Sequence, residues 1–172
     1  KKRVYISFIE RRNLANAAAI HFTSEAEAAE YVAAGFPTRK KIIIPNAFEI
    51  EPEKEKPPIQ DVPRFVALGR ITKKKGFDTL IPAFKKVKEE IPGAVLVIAG
   101  NDERGYEREV RGMVAREHLS ASDVEFTGMV IGEVKDILLR SATAFVLPSY
   151  SENFGMAPVE ALAHGTAVVI TP

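Results

Sequence analysis

Pro148–Gly165 reads PSYSENFGMAPVEALAHG, and it joins two kinds of secondary structure. The run before it, Ala144–Leu147, is short, apolar and of buried-strand type. Pro148-Ser149 breaks that run, and Ser151–Gly155 has the chemistry of a loop. A helix that starts near Gly155 puts Pro158 in its first turn, where a missing N–H costs little, and Gly165 suits the position just past its end. Strand, loop and helix in this order form one βα unit.

The same unit repeats on the N-terminal side of this stretch. Strand-like apolar runs occur at Phe65–Leu68, Ala94–Ala99, Val124–Phe126, Ala144–Leu147 and Ala167–Ile170, and segments of helical period fill the gaps. One helix face carries Phe77, Leu80, Ile81, Phe84 and Val87, a second Tyr106, Val110, Met113 and Val114, and a third Val134, Ile137 and Leu138. Pro82 fits the first of these if Asp78 is the N-cap, which brings the proline near the first turn. Repeated βα units with continuous apolar strands predict an α/β fold, a parallel sheet of Rossmann-like type flanked by helices on both faces. Ligands of such sheets bind at the carboxyl ends of the strands. The loops that begin at Gly69, Gly100, Gly128 and Pro148 are therefore the ones to search.

The first part of the chain is α/β in character but supplies only two strands. Tyr5, Phe8, Ile9 and Arg12 lie at helical spacing within residues 2–15, although VYISFI also fits a strand. Ala17–Phe22 reads as a short buried strand. Ser24-Glu25-Ala26-Glu27 is a capping box whose helix should run to about Ala34 and end at Gly35, and Lys41–Ile44 is a strand closed by Pro45. Glu49–Pro63 has four prolines and seven charges in fifteen residues, the composition of a linker.

With 172 residues the chain can bury a substantial core, and the net charge of +1 offers no electrostatic case for nucleic acid. The 46% apolar and 27% charged content is that of a globular protein. No run approaches the ~18 apolar residues of a membrane-spanning helix. The absence of cysteine excludes a disulfide framework and thiolate chemistry, and it fits a reducing, cytoplasmic setting. The three histidines have no metal-ligand spacing, no Asp-x-Asp pair is present, and neither a Walker A loop nor G-x-G-x-x-G occurs. No metal or cofactor is expected.

Two constellations carry chemistry. Glu160 is the one charged side chain between Met156 and Ala163, so a buried helix there must give it a basic partner, hydrogen-bond donors or a ligand. A structural salt bridge is the rival reading for Glu160, and a solvated loop charge for Glu152. The N–H groups around Asn153–Met156, at the positive end of the helix, suit an anion. Carboxylates for hydroxyls beside N–H groups for phosphate describe a sugar-phosphate or nucleotide site. The second constellation is Gly69–Gly76, GRITKKKG, which sets Arg70 and Lys73–Lys75 at the carboxyl edge of the sheet, where a polyphosphate would suit them. A solvated basic loop is its bland alternative.

In this order, GRITKKKG, FTGMV at Phe126–Val130 and PSYSENFGMAPVEALAHGTAVV, with two glutamates separated by seven residues, resemble the family 4 (group 1) retaining glycosyltransferases of GT-B fold. The resemblance implies that residues 1–45 are the end of an N-terminal acceptor domain, 46–63 an interdomain linker, and 64–172 an incomplete C-terminal nucleotide-sugar-binding domain. It implies that Arg70 and Lys75 hold the donor diphosphate and that Glu160 accepts hydrogen bonds from the ribose. Glu152, with the backbone at Asn153, Phe154 and Gly155, would contact the donor sugar and distal phosphate, and Arg70, Lys75 and Glu152 would form the catalytic group. Val130 and Lys135 lie where the family contacts the base.

The implied partners are a nucleoside-diphosphate-sugar donor and a sugar or lipid acceptor. A membrane-peripheral place for the intact protein stays open. Pro82, and PNAF where the family more often has PNG, depart from the pattern. By itself the chain is expected to bind nucleotide weakly and transfer nothing. A non-catalytic nucleotide-binding module and a GT-B nucleotide-sugar epimerase are the alternatives.

Overall fold

A computed structural model describes residues 5–47, 62–152 and 154–171. The chain divides into two compact units, Lys1–Glu49 and Ile50–Pro172. Most of the expected linker, 48–61, lies outside the described residues.

In the first unit a π-helical turn, Ile6–Glu10, runs into helix α1 (Arg11–Asn16), so the helical reading of this segment holds over the strand reading. Tyr5, Phe8 and Ile9 nevertheless stay at least half exposed. Strand β1 (Ile20–Phe22) pairs in parallel with β2 (Lys41–Ile43) across helix α2 (Glu25–Ala33). β1 is shorter than expected and buries only Phe22, because one neighbouring strand and one helix cover a single face. Phe22 packs edge-on against Tyr31, which stacks on Phe36. Ser24 caps α2 by accepting from the Glu27 N–H at 3.1 Å. The reciprocal half of the box differs: the Glu27 carboxylate accepts from the Thr23 N–H and hydroxyl, one residue before the cap.

The second unit contains strands β3 (Arg64–Leu68), β4 (Val95–Ala99), β5 (Val124–Gly128), β6 (Ala144–Leu147) and β7 (Ala167–Ile170). All their pairings are parallel, in the order β5-β4-β3-β6-β7. Helices α3 (Phe77–Glu90), α4 (Tyr106–Arg116), α5 (Gly132–Arg140) and α6 (Met156–Ala163) connect them. Alternation along the strands separates two cores. Ala67, Leu96 and Ile98 meet α3 and α4, whereas Val66, Leu68, Val97 and Phe145 meet Leu139 of α5 and Ala161 of α6. The α/β sheet with helices on both faces is as expected.

Three local expectations need correction. Helix α3 is capped by Gly76, not Asp78, so Pro82 stands inside it and removes one intrahelical hydrogen bond. On α5 the buried residue is Leu139, while Val134 and Ile137 are 63% and 48% exposed. With 3.6 residues per turn, Val134 and Ile137 both lie on the side of the helix turned away from Leu139. Helix α6 is also less buried than an all-apolar sequence implies. It buries Pro158 and Ala161 but leaves Leu162 60% exposed, because it packs beside β7 at the edge of the sheet.

Candidate functional site

The strand order selects two of the four loops flagged by the sequence. From β3 the chain moves through α3 to β4 on one side, and from β5 it returns through α5 to β6 on the other. The loops that leave β3 and β6 therefore diverge, and a parallel sheet opens its ligand crevice at such a switch point. These loops are Gly69–Gly76 and Pro148–Gly155.

They interlock through the backbone. Gly76 has φ 68°, and a Cβ on it would lie 1.9 Å from the Pro148 carbonyl oxygen, so only glycine allows α3 to begin there. The Tyr150 N–H donates to the Lys74 carbonyl at 2.8 Å, and the Tyr150 hydroxyl donates to Asp78 Oδ2 at 2.7 Å. Thr171 Oγ1 donates to the Ser149 carbonyl at 2.6 Å, which ties the same loop to the end of β7.

This clasp brings Lys75 and Glu152 together. Lys75 rises from a 3-10 turn, Lys73–Lys75, and its side chain crosses Gly69, where a Cβ would lie 3.3 Å from Lys75 Cε. Lys75 Nζ forms an ion pair with Glu152 Oε1, which also accepts from Ser149 Oγ at 2.8 Å. The Lys75 side chain is 17% exposed and that of Glu152 34%, so the pair is only partly shielded from solvent. Glu152 is nevertheless held by two partners, Lys75 and Ser149.

Glu160 meets its basic partner in Lys135: Nζ and Oε1 are 3.0 Å apart between α5 and α6, with the side chains 26% and 22% exposed. That pair satisfies one carboxylate oxygen of Glu160 and leaves acceptor capacity on the other. Arg70 behaves differently. It is 73% exposed and pairs at 3.0 Å with Glu103 of the β4–α4 loop. Val130 packs against the α5–α6 core. Phe154 and Gly155 line an apolar-walled groove of about 320 Å³ with Glu152, Pro158 and Val168. Asn153 lies outside the described residues. No side chain caps the N-terminus of α6 among those residues.

Sequence reasoning missed Ser149, Tyr150 and Asp78. The serine three residues before Glu152 was a signal available in the chain, but the Tyr150–Asp78 bond spans 72 positions and no local pattern could reveal it. Three further titratable side chains, Asp123, Glu125 and His164, have structural partners. Asp123 pairs with Lys88 at 2.7 Å and accepts from Ser120, which holds its carboxyl well below the usual range, at about 2. Glu125 pairs with Arg64 at 2.8 Å, and His164 faces Asp136 at 3.4 Å. Among the described residues no group of three or more His, Cys, Asp or Glu could hold a metal ion, and no helix is long and apolar enough to cross a membrane.

The parallel sheet, its order and the switch-point loops define an α/β protein whose fold matches that of GT-B glycosyltransferases. Residues 49–172 match the model of the family described as glycosyl transferases group 1, and the chain belongs to that family. It is 37% identical over 111 residues to mannosylfructose-phosphate synthase of Agrobacterium fabrum, covering 62% of this chain and 24% of that protein. It is 33% identical over 132 residues to phosphatidyl-myo-inositol mannosyltransferase of Mycobacterium tuberculosis, covering 73% of this chain and 33% of that one. The matched part of the chain therefore spans 24% to 33% of the length of these relatives. Among solved structures, Anabaena HepE in complex with UDP and glucose superposes with a TM-score of 0.80 at 21% identity, covering 98% of this chain and 47% of that one. Sucrose-phosphate synthase from Thermosynechococcus elongatus gives 0.75 at 26% identity, covering 94% and 42%.

Proposed function

We propose that this chain is the donor-binding part of a retaining glycosyltransferase that moves a sugar from a nucleoside diphosphate to a sugar or lipid acceptor. The observation that carries the reading is the Lys75–Glu152 pair at the switch point, locked by Gly76, Ser149 and Tyr150. HepE, of the same fold, is described in complex with UDP and glucose, and two relatives are named for mannose-containing chemistry.

In the proposed mechanism the diphosphate enters between the two loops and takes Lys75 from Glu152. Glu152 is then free to accept from a donor-sugar hydroxyl, with the backbone of Asn153, Phe154 and Gly155 beside the distal phosphate. As the glycosidic C–O bond breaks, negative charge grows on the leaving diphosphate. Lys75, Arg70 and the N-terminal N–H groups of α6 stabilise that charge, and a fixed cation is worth most when the charge is largest. For Arg70 this requires exchange of Glu103 for phosphate, and its exposure makes that exchange cheap. Glu160, held by Lys135, accepts from the ribose hydroxyls, and Val130 flanks the base.

Because the cations are supplied by side chains, nucleotide binding is proposed to need no metal. On this reading residues 1–45 are the end of the acceptor domain and the intact protein works in the cytoplasm or at a membrane surface. The test is calorimetric titration of the 172-residue chain with UDP, GDP and ADP, with and without EDTA. Saturable binding of one nucleotide, unchanged by chelation and weakened by Lys75→Ala, is the expected result. Failure of all three to bind removes the reading, and loss on chelation removes metal independence. Turnover by the full-length protein separates the transferase from a non-catalytic nucleotide-binding module.

A further inference from the structure

On the α3–α4 side of the same sheet edge, Lys73, Lys74, Asp78, Tyr106, Glu109 and Tyr150 line an open pocket of about 410 Å³. It lies across the sheet from Glu160 and Lys135, whose helices pack on the opposite face. Tyr150 also lines the groove of Glu152 and Phe154, so it stands as the wall between the two spaces.

Two tyrosines shape this pocket. Tyr150 is 65% exposed yet rigidly held, by its N–H on Lys74 and its hydroxyl on Asp78. An exposed ring fixed at both ends is a prepared apolar platform. Tyr106 is the reverse case. Its ring is only 8% exposed, packed in the α3–α4 core, while its hydroxyl is open to the pocket and makes no hydrogen bond to another described residue. Burial, followed by the charges of Asp78 and Glu109 and by Tyr150, raises its pKa, so the hydroxyl remains a donor at neutral pH. The ammonium groups of Lys73 and Lys74 and the carboxylate of Glu109 likewise have no ion-pair partner among the described residues.

We propose that this pocket binds a sugar ring, stacked on Tyr150 and hydrogen-bonded to the Tyr106 hydroxyl, Lys73, Lys74 and Glu109. A sugar fits because its C–H face meets an aromatic ring, while its hydroxyls both donate to carboxylates and accept from ammonium and phenol groups. A simple anion would meet Asp78 and Glu109 as well as the lysines. The proposal rests on the glycosyltransferase reading for its meaning: a ring held here lies across Tyr150 from the groove of Glu152, and would belong to the acceptor or to a growing saccharide.

The test follows the tyrosine ring resonances of the isotopically labelled 172-residue chain during titration with maltose, methyl α-mannoside, myo-inositol and inorganic phosphate. At least one of the first three is expected to shift the Tyr106 and Tyr150 signals saturably. Tyr106→Phe, which keeps the ring and its packing, is expected to weaken that binding about tenfold while UDP affinity stays unchanged, and the surface change Lys74→Ala is expected to weaken sugar binding about as much. No shift with any of the three, shifts with phosphate only, or sugar affinity unaltered in both variants would overturn the proposal. UDP binding is scored separately: a chain that binds sugar here but no nucleotide sinks the donor-site reading and not this one.

Discussion

Two lysine–glutamate pairs flank the switch point, and they are built differently. Lys75–Glu152 joins two loops whose backbones already touch, and Glu152 has a second partner in Ser149. Lys135–Glu160 joins two helix surfaces by one 3.0 Å contact, with no further hydrogen bond to either side chain among the described residues. The first pair is set by backbone geometry, and its cation and carboxylate are presented together. In the second, whose side chains are as little exposed as those of the first, each group is held by one contact alone and can reorient once that contact is given up. A site that must meet growing charge benefits from fixed groups. One that holds a ribose needs free acceptor sites, which Glu160 retains.

Gly76 is the position on which the first pair depends most. A side chain at its left-handed φ would collide with the Pro148 carbonyl, so Gly76→Ala is expected to cost roughly 3 kcal/mol or more of stability and to separate Lys75 from Glu152. Denaturant unfolding together with UDP titration checks both effects. A stable variant with unchanged nucleotide affinity would show that the clasp does not set the first pair.

In the intact enzyme, Lys75→Ala is expected to lower turnover by ~10²-fold, the scale of a lost oxyanion contact, and more than it lowers donor affinity. Arg70→Ala should act in the same direction but by less, since Arg70 is exposed and held by Glu103. Steady-state kinetics with one donor and acceptor ranks the two. An effect confined to KM would assign Lys75 to binding alone.

The second pair is sharpened by Glu160→Ala, expected to cost ~1–3 kcal/mol of ribonucleotide affinity and little for a 2′,3′-dideoxynucleotide. Lys135→Ala is expected to cost less than either change at the first pair. Equal losses for both sugars on Glu160→Ala would make Lys135–Glu160 a structural salt bridge.

Lys88–Asp123, remote from the switch point, calibrates what such a pair contributes to folding alone. The Asp123 carboxyl is lowered from 3.8 to about 2, first by its hydrogen bond to Lys88 and then by Ser120. A depressed folded-state value means that the stability is fully present above the unfolded value and is lost as pH falls from about 4 towards 2. The expected contribution is on the order of 1–2 kcal/mol. Asp123→Asn should lower stability at pH 7 and flatten the acid limb of an unfolding series; parallel acid limbs for variant and parent would contradict it.

Much of this molecule was legible in the chain itself. Five apolar runs, the helical periods of α3 and α4 and the glycines that end the strands follow from local patterning, because a strand or helix face is decided by neighbours within a few residues. That Glu160 needs a basic partner, hydrogen-bond donors or a ligand was equally readable, since a carboxylate on an apolar helix must be compensated. Which of these it meets was not, and neither was the exposure of β7 and Leu162. An apolar run reads alike whether its strand is central, as in β4 with Leu96–Ala99 buried, or marginal, as in β7 with Val169 and Ile170 exposed. Strand order decided that difference. It also reduced four candidate loops to two, joined Tyr150 to Asp78 and Lys75 to Glu152 across more than seventy positions, and gave Gly76 its neighbour in Pro148. Such contacts are set by how units stack in three dimensions, a choice that no single βα unit contains.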